Sequence, residues 1–282
     1  MRPSASRIAG AVLLALLVAV SLLPLWMAAK TALTPNSLLY AHAAELLPRE
    51  PTLDNVRRVL GLSSQSGSVD FATALRNSLL FTAIVVVAQT FFSALAAYGF
   101  ARLKFPGRTL LFNLVVAGSM VPTIVLFIPN FVLIKSLGWL NTMPGMVAPF
   151  FFMTPFSVFF LRQFFLNTPR EVEEAARLAG AGPMTIFLRV VLPMHKGALA
   201  TLAILTALGM WNEFFWPFLV GTDPSVRVIA VAINVFREQH AGGLVDWTGL
   251  LSCAVLSAAP VVLALVLFGR RIVDALQSSA VR

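Results

Sequence analysis

The chain has 282 residues; 58% belong to the apolar set Ala, Val, Ile, Leu, Met, Phe, Trp, Tyr and Cys, only 12% are charged, and the mean hydropathy is +0.85. A soluble domain carries roughly 25% charge, so a chain this apolar has too little polar surface to cover itself in water, and a soluble globular fold is excluded. The formal charge of +9 does not point to nucleic acid, because no basic patch is interleaved with exposed aromatics.

Within a bilayer the backbone finds no water to pair with, so only helices or closed barrels can span it. Barrel strands read as short alternations. Here the apolar runs last about twenty residues without alternation, the length of a spanning helix. The reading is an all-α membrane protein with six transmembrane helices, at about 8–29, 79–101, 110–134, 143–165, 198–220 and 250–268, in a single transmembrane domain covering 1–282.

The first run has basic residues before it, Arg2 and Arg7. Its apolar stretch is longer than the 7–15 residues typical of a signal peptide, and Met27-Ala28-Ala29 is a poor cleavage site. It reads as a retained helix. The loop at 30–77 follows as a small extracytoplasmic cap. Within it, 52–60 reads as a short amphipathic helix started by Thr52, with Leu53, Val56, Val59 and Leu60 on one face. Ser63-Ser64-Gln65-Ser66-Gly67-Ser68 reads as a turn. The next connection, 102–108, is a tight basic turn around Pro106-Gly107. The one after it, near 138–141, is short and polar.

With the N-terminus inside, cytoplasmic segments hold 13 Lys and Arg against 8 outside, and 4 Asp and Glu against 7. This positive-inside bias places both termini in the cytoplasm. Cys253 is the one cysteine and lies in the sixth run, so no intramolecular disulfide or Cys-based metal framework exists. His42, His195 and His240 fall in three separate loops.

Between the fourth and fifth runs lies a cytoplasmic stretch, 167–197, too polar to span. Thr168 suits an N-cap, Pro169 the first helical position, and Glu171 completes a capping box. Glu171, Glu173 and Glu174 favour the positive end of the helix dipole. Glu173 and Arg177 have the favourable four-residue spacing. Ala175, Ala176, Leu178 and Ala179 make part of the surface small and apolar. Gly180 can adopt the left-handed conformation that ends a helix. A second helix is expected over 183–191, ended by Leu192-Pro193. A short helix, a glycine break and a second short helix suit a rigid docking knob; they also suit a loop that merely joins two spans.

Glu174-Ala175-Ala176, three residues, Gly180, nine residues, then Val190-x-Leu192-Pro193 resembles the EAA loop of ABC importer permeases, EAA-x3-G-x9-I-x-L-P. Val190 stands where Ile is usual and Ala179 where sugar permeases often have Asp. The resemblance runs along most of the chain and is to the maltose-type carbohydrate permeases. It includes Asn77-Ser78, Ala96-Ala97-Tyr98-Gly99-Phe100-Ala101-Arg102 with Phe105-Pro106-Gly107, and Met120-Val121-Pro122 with Pro129. It continues through Gly138-x-Leu140-Asn141-Thr142, Arg162-Gln163-Phe164-Phe165, and Trp211-Asn212-Glu213 with Trp216-Pro217. The end, Ser278-Ser279-Ala280-Val281-Arg282, departs from the family's Gly-containing tail.

The resemblance implies a type I ABC importer permease fold, in the bacterial inner membrane. It implies that Glu174, Ala175, Ala176, Gly180, Leu192 and Pro193 form the loop that couples to an ATPase. The chain lacks G-x-x-x-x-G-K-[ST], so ATP and Mg would be bound by partners and no cofactor by this chain. The implied partners are a second homologous permease, two ABC ATPase subunits, an extracytoplasmic sugar-binding protein and the lipid membrane.

A sugar requires hydrogen bonds and an apolar or aromatic face. Trp211, Asn212, Glu213 and Trp216 offer both in the fifth run, and Glu213 is the one acid inside a spanning segment. An intramembrane carboxylate usually lines a cavity or meets a partner. The tryptophans also suit an interfacial belt, with Glu213 at the rim, and both readings stand. Pro122, Pro129 and Asn130 interrupt the third run; freed carbonyls there could line a cavity or simply accompany a packing kink. A secondary transporter would show broken helices in two related halves, which are not evident. An enzyme reading finds no H-E-x-x-H and leaves the 168–193 loop unused.

Overall fold

The computed structural model describes residues 5–42, 45–62, 70–239 and 245–280. The Ser63–Ser68 turn, His240 and the last two residues lie outside the described residues. All regular structure among the described residues is helical.

Helix α1, Ala5–Ala32, is built mainly of Ala, Val and Leu. Its large side chains are exposed on every face, including Leu14 and Val20, a surface that needs hydrocarbon around it. The amphipathic segment of the first loop is α2, Asp54–Val59. Thr52 supports it through its hydroxyl, which accepts from the Asp54 N–H at 3.1 Å. Helix α3, Phe71–Arg102, starts eight residues earlier than the apolar run. Asp70 explains the early start: its carboxylate accepts from the Thr73 N–H at 3.0 Å, and such a side chain satisfies an otherwise orphaned donor.

The third, fourth and fifth apolar runs are not single straight helices. The third is α4, Arg108–Ala117, extended by a turn to Met120, and then α5, Thr123–Ser136, at 96° to it. The break falls at Val121-Pro122, both extended. Pro129 stays inside α5, so of the two prolines only the first ends a helix. The fourth is α6, Met143–Val147, with a turn to Phe150, then α7, Pro155–Leu166, bent by 52°. Thr154 caps α7 by accepting from the Ser157 N–H, and Pro155 occupies the first position.

Helix α8, Arg170–Leu178, stands in the polar stretch. The next helix begins at α9, Pro183–Ile186, widens through a π turn over Phe187–Val191 and closes as α10, Leu192–Met194. The expected stop at Leu192-Pro193 is therefore displaced. Pro193 lies inside this continuous helix, just after its widened turn, and the chain bends by 81° at His195 instead. Helix α11, Lys196–Trp211, follows, and after a break at 212–214 comes α12, Phe215–Val220. An additional helix, α13, Ile229–Gln239, occupies a stretch read only as an external connection. Helix α14, Trp247–Ala280, closes the described chain. By length and composition α1 (from Ala9) and α3 can each cross a membrane straight, and three further candidates are bent pairs; Trp247–Leu263 is a shorter apolar segment.

The chain divides into two compact units, Met1–Leu75 with Val231–Leu263 and Arg76–Ala230 with Ala264–Arg282. In the first, buried Asn55 donates to the carbonyls of Ala32 and Thr34 and so pairs free acceptors at the end of α1. Arg58 meets buried Asp246 at 2.7 Å. In the second, the core joins Ala94, Ala97, Tyr98 and Ala101 of α3 to Val158, Leu161 and Phe165 of α7 and to Ile186, Phe187 and Val191 beneath α8.

Candidate functional site

Helix α8 is nine residues of mostly charged and small side chains. An isolated helix this short is marginal in water, so its position depends on tertiary anchors. Glu173 is its one fully buried residue, with Ala176 half-buried against the core. The anchor is Arg102, at the last residue of α3. Its Nε lies 2.9 Å from Glu173 Oε1, both side chains under a tenth exposed, without the alignment of a hydrogen bond. The pair is held by charge. Removing one partner of such a buried pair costs about 3–5 kcal/mol, since the other is left uncompensated. Arg102 also donates to the Thr168 carbonyl. Arg177 reaches the same Glu173 at only 3.7 Å and is mostly exposed, so the expected i,i+4 pair forms but is the weaker of the two.

The expected capping box does not form. The helix is preceded by Pro169, with no side-chain cap. Thr168 is turned inward, and its hydroxyl pairs with His195 Nε2 at 2.7 Å. The imidazole also packs on Phe165, with ring centroids 5.2 Å apart. Burial, and then the Arg102 charge, hold the His195 pKa below its usual value.

Gly180 adopts the left-handed conformation, φ +84°, and its N–H donates to the Arg177 carbonyl. The turn leaves Glu174, Ala175, Leu178, Ala179 and Gly180 exposed together, with Leu178 at 92%. Leu192 packs partly against the core and Pro193 is exposed. Beside α8 opens a cleft of about 640 Å³ lined by Arg102, Lys104, Arg108, Arg170, Glu173 and Arg177 among others.

The 211–216 region has a different character. Trp211 is buried at the end of α11, and Asn212 is exposed, donating to the Leu208 carbonyl. Glu213 is half-buried and bridges the break to α12: its carboxylate accepts from the Trp216 N–H at 3.1 Å. Trp216 is fully buried. Its indole N–H is shared between the carbonyls of Gly145 and Met146, and its ring stacks on Phe127. Asn130 sits half-buried on α5. The structure thus brings Glu213 and Trp216 together as a brace. A Cβ at Gly145 would lie 2.1 Å from the Trp139 carbonyl oxygen, so only glycine permits α6 to start this close to that carbonyl.

Residues 89–282 match the family of binding-protein-dependent transport system inner membrane components. The chain belongs to this family. It is 32% identical to the trehalose/maltose transport system permease protein MalG of Thermococcus litoralis, over 84% of each chain. It is 32% identical to the diacetylchitobiose uptake system permease protein NgcG of Streptomyces coelicolor, over 73% of this chain and 68% of that one. Identity to the sn-glycerol-3-phosphate transport system permease protein UgpE of Yersinia pestis is 30%, over 92% and 91%. In fold the chain matches one from a bacterial ABC transporter that imports the acidic polysaccharide alginate. The TM-score is 0.80 at 24% identity, covering 96% of this chain and 99% of that one.

In this inner-membrane permease the anchor of α8 escapes a reading by spacing. Arg102 and Glu173 lie in separate segments, and the one signal for Arg102 is that it ends an apolar run. Two measurable consequences follow. Trp216→Phe keeps the ring and removes the indole donor, leaving two buried carbonyls short of a partner. It is expected to cost about 1–3 kcal/mol, read as a lower midpoint in thermal unfolding of the detergent-purified permease.

The second concerns pH. The folded loop resists protonation of His195, whereas the unfolded chain binds a proton near 6.5. The His195 contribution is therefore complete above that value and is lost as pH falls below it. Amide exchange across 168–195, corrected for intrinsic rate, is expected to rise between pH 7.5 and 5.5. His195→Gln should flatten that response.

Proposed function

We propose that this permease is one of two homologous membrane subunits in an ATP-driven, binding-protein-dependent carbohydrate importer. Each subunit forms half of a central pathway. The chain spans the bacterial inner membrane six times with both termini cytoplasmic. Residues 1–282 act as one transmembrane domain, with 30–77 an extracytoplasmic loop and 167–197 the coupling loop. Two ATPase subunits bind ATP and Mg, and an extracytoplasmic protein delivers the sugar. The carbohydrate class rests on relatives named for trehalose, maltose and diacetylchitobiose.

The observation that carries the coupling role is the surface of α8. A short helix with a buried ionic anchor on one side and Leu178, Ala175 and Gly180 bare on the other is shaped to enter a cleft on a partner. Glu174 at its edge sets register by charge. Closure of the ATPase pair pushes this knob, and the spans attached to it re-aim the pathway. Within the pathway Asn212, Glu213 and Asn130 supply polar groups, while Trp211 and Trp216 hold the frame around them.

The test is purification of the permease from its native membrane, with mass spectrometry of what accompanies it. A P-loop ATPase, a second permease and a sugar-binding protein are expected, and the last identifies the sugar by its bound ligand. Purification alone, with uptake that does not depend on ATP, would overturn the proposal.

A further inference from the structure

We propose that α3 is the rigid member that carries a displacement of α8 to the 225–229 segment at its far end, with Arg102, Asn77 and Ser78 as positioning residues. This rests on the reading of α8 as the ATPase-docking helix.

Three observations meet in α3. First, it is unbroken. It runs 32 residues without an internal proline, whereas the three other apolar helix pairs bend by 96°, 52° and 81°. At 1.5 Å per residue it is about 48 Å long, more than the roughly 30 Å hydrocarbon core, long enough for both ends to reach beyond that core. A continuous hydrogen-bond ladder resists axial compression, and a bent pair yields at its break.

Second, the end at Arg102 is fixed to both the start and the body of the docking element: to the Thr168 carbonyl and to Glu173. Through Thr168 the same cluster reaches His195, where α10 gives way to α11. Third, the other end is fixed as firmly. Asn77 is 2% exposed, and its side-chain amide donates to the carbonyls of Ser225 at 2.9 Å and Arg227 at 3.1 Å. The hydroxyl of buried Ser78 accepts from the Ile229 N–H at 2.7 Å. Adjacent side chains thus grip three backbone groups of the segment that follows α12 and opens α13. Buried polar contacts of this kind have few alternatives, because opening one leaves desolvated groups unpaired. They behave as stiff joints. Between them Ala94, Ala97 and Ala101 pack small faces against the core. A shift of α8 therefore moves α3 as a body, and α3 moves the segment that bounds the 211–220 region.

The test uses the reconstituted full transporter with a cysteine placed at exposed Pro224, native Cys253 being buried. The rate of its modification by a membrane-impermeant maleimide is measured with and without a non-hydrolysable ATP analogue, alongside sugar taken up per ATP hydrolysed. In the native background nucleotide changes the rate at position 224. In Asn77→Ala the ATPase subunits stay bound, the nucleotide response at 224 disappears, and uptake per ATP falls at least tenfold; Arg102→Ala loses the same response and the same ratio. Arg102→Lys, which keeps the charge opposite Glu173, restores a substantial part of both.

A nucleotide response and uptake ratio unchanged in Asn77→Ala would overturn the proposal. So would a native background without any response at 224. If Arg102→Ala fails to assemble, Asn77→Ala and Arg102→Lys decide the matter alone. Leu178→Asp separates the two readings. If it leaves ATPase binding intact, the docking assignment of α8 falls; if it releases the ATPase while Asn77→Ala couples normally, only the role of α3 falls.

Discussion

Leu178→Asp is expected to release the ATPase subunits from the permease while leaving the permease folded. The side chain is 92% exposed at the end of α8 and the core does not use it. Its near-complete exposure leaves the whole side chain available to a partner. Placed among Ala175, Ala179 and Gly180, it forms the apolar tip of the knob. Central apolar anchors of this kind carry about 2 kcal/mol or more of an interface, which is roughly 30-fold in affinity. Burying a carboxylate in the same place adds its desolvation cost. Titration of purified ATPase onto the solubilised permease measures the loss directly. Sugar uptake should vanish with it, and the thermal midpoint of the permease alone should not move. Unchanged ATPase affinity would mean that the docking surface lies elsewhere.

Gly180→Pro is expected to uncouple ATP hydrolysis from uptake. The position holds φ +84°, a conformation that proline's ring, fixed near −65°, cannot reach. The substitution also deletes the N–H that donates to the Arg177 carbonyl at 2.9 Å. The turn must open, and α8 then presents its tip along a different line from the helix that starts at Pro183. Membrane insertion does not depend on this turn and should persist. Gly180→Ala supplies the graded control. A Cβ there meets nothing within 4 Å, so alanine bears only the left-handed penalty of roughly 1–2 kcal/mol. Uptake per ATP is expected to fall about tenfold or more for proline and by a smaller factor for alanine, both measured in proteoliposomes with the ATPase and binding protein present. Normal uptake by the proline variant would remove the coupling role from this turn.

The solvent of this chain and its local punctuation are legible before any folding. Composition excludes water as the medium, because charge and apolar area are properties of the chain before it folds. The α8 helix, the left-handed Gly180 and the opening of α9 at Pro183 were legible for the same reason: capping preference, proline stereochemistry and glycine freedom act within a few residues. The segment carrying Glu174, Ala175 and Ala176 has the spacing of a motif and falls within the residues that match the family.

Tertiary structure decided what depends on neighbours distant in sequence. Two prolines stand in the third apolar run, yet the chain breaks at Pro122 and continues through Pro129. Proline chemistry is identical at both, and packing selects between them. Thr168 and Glu171 have the spacing of a capping box, yet Thr168 pairs with His195 because the fold delivers an imidazole within 2.7 Å. Trp216 is suited by type to a lipid interface or a sugar, and the approach of Gly145 and Met146 makes it a buried brace. Glu173 carries a local partner in Arg177, but Arg102 takes it, reaching back to Thr168 across 66 residues of chain. A buried charge seeks the nearest compensating charge in space, and sequence spacing does not measure that distance.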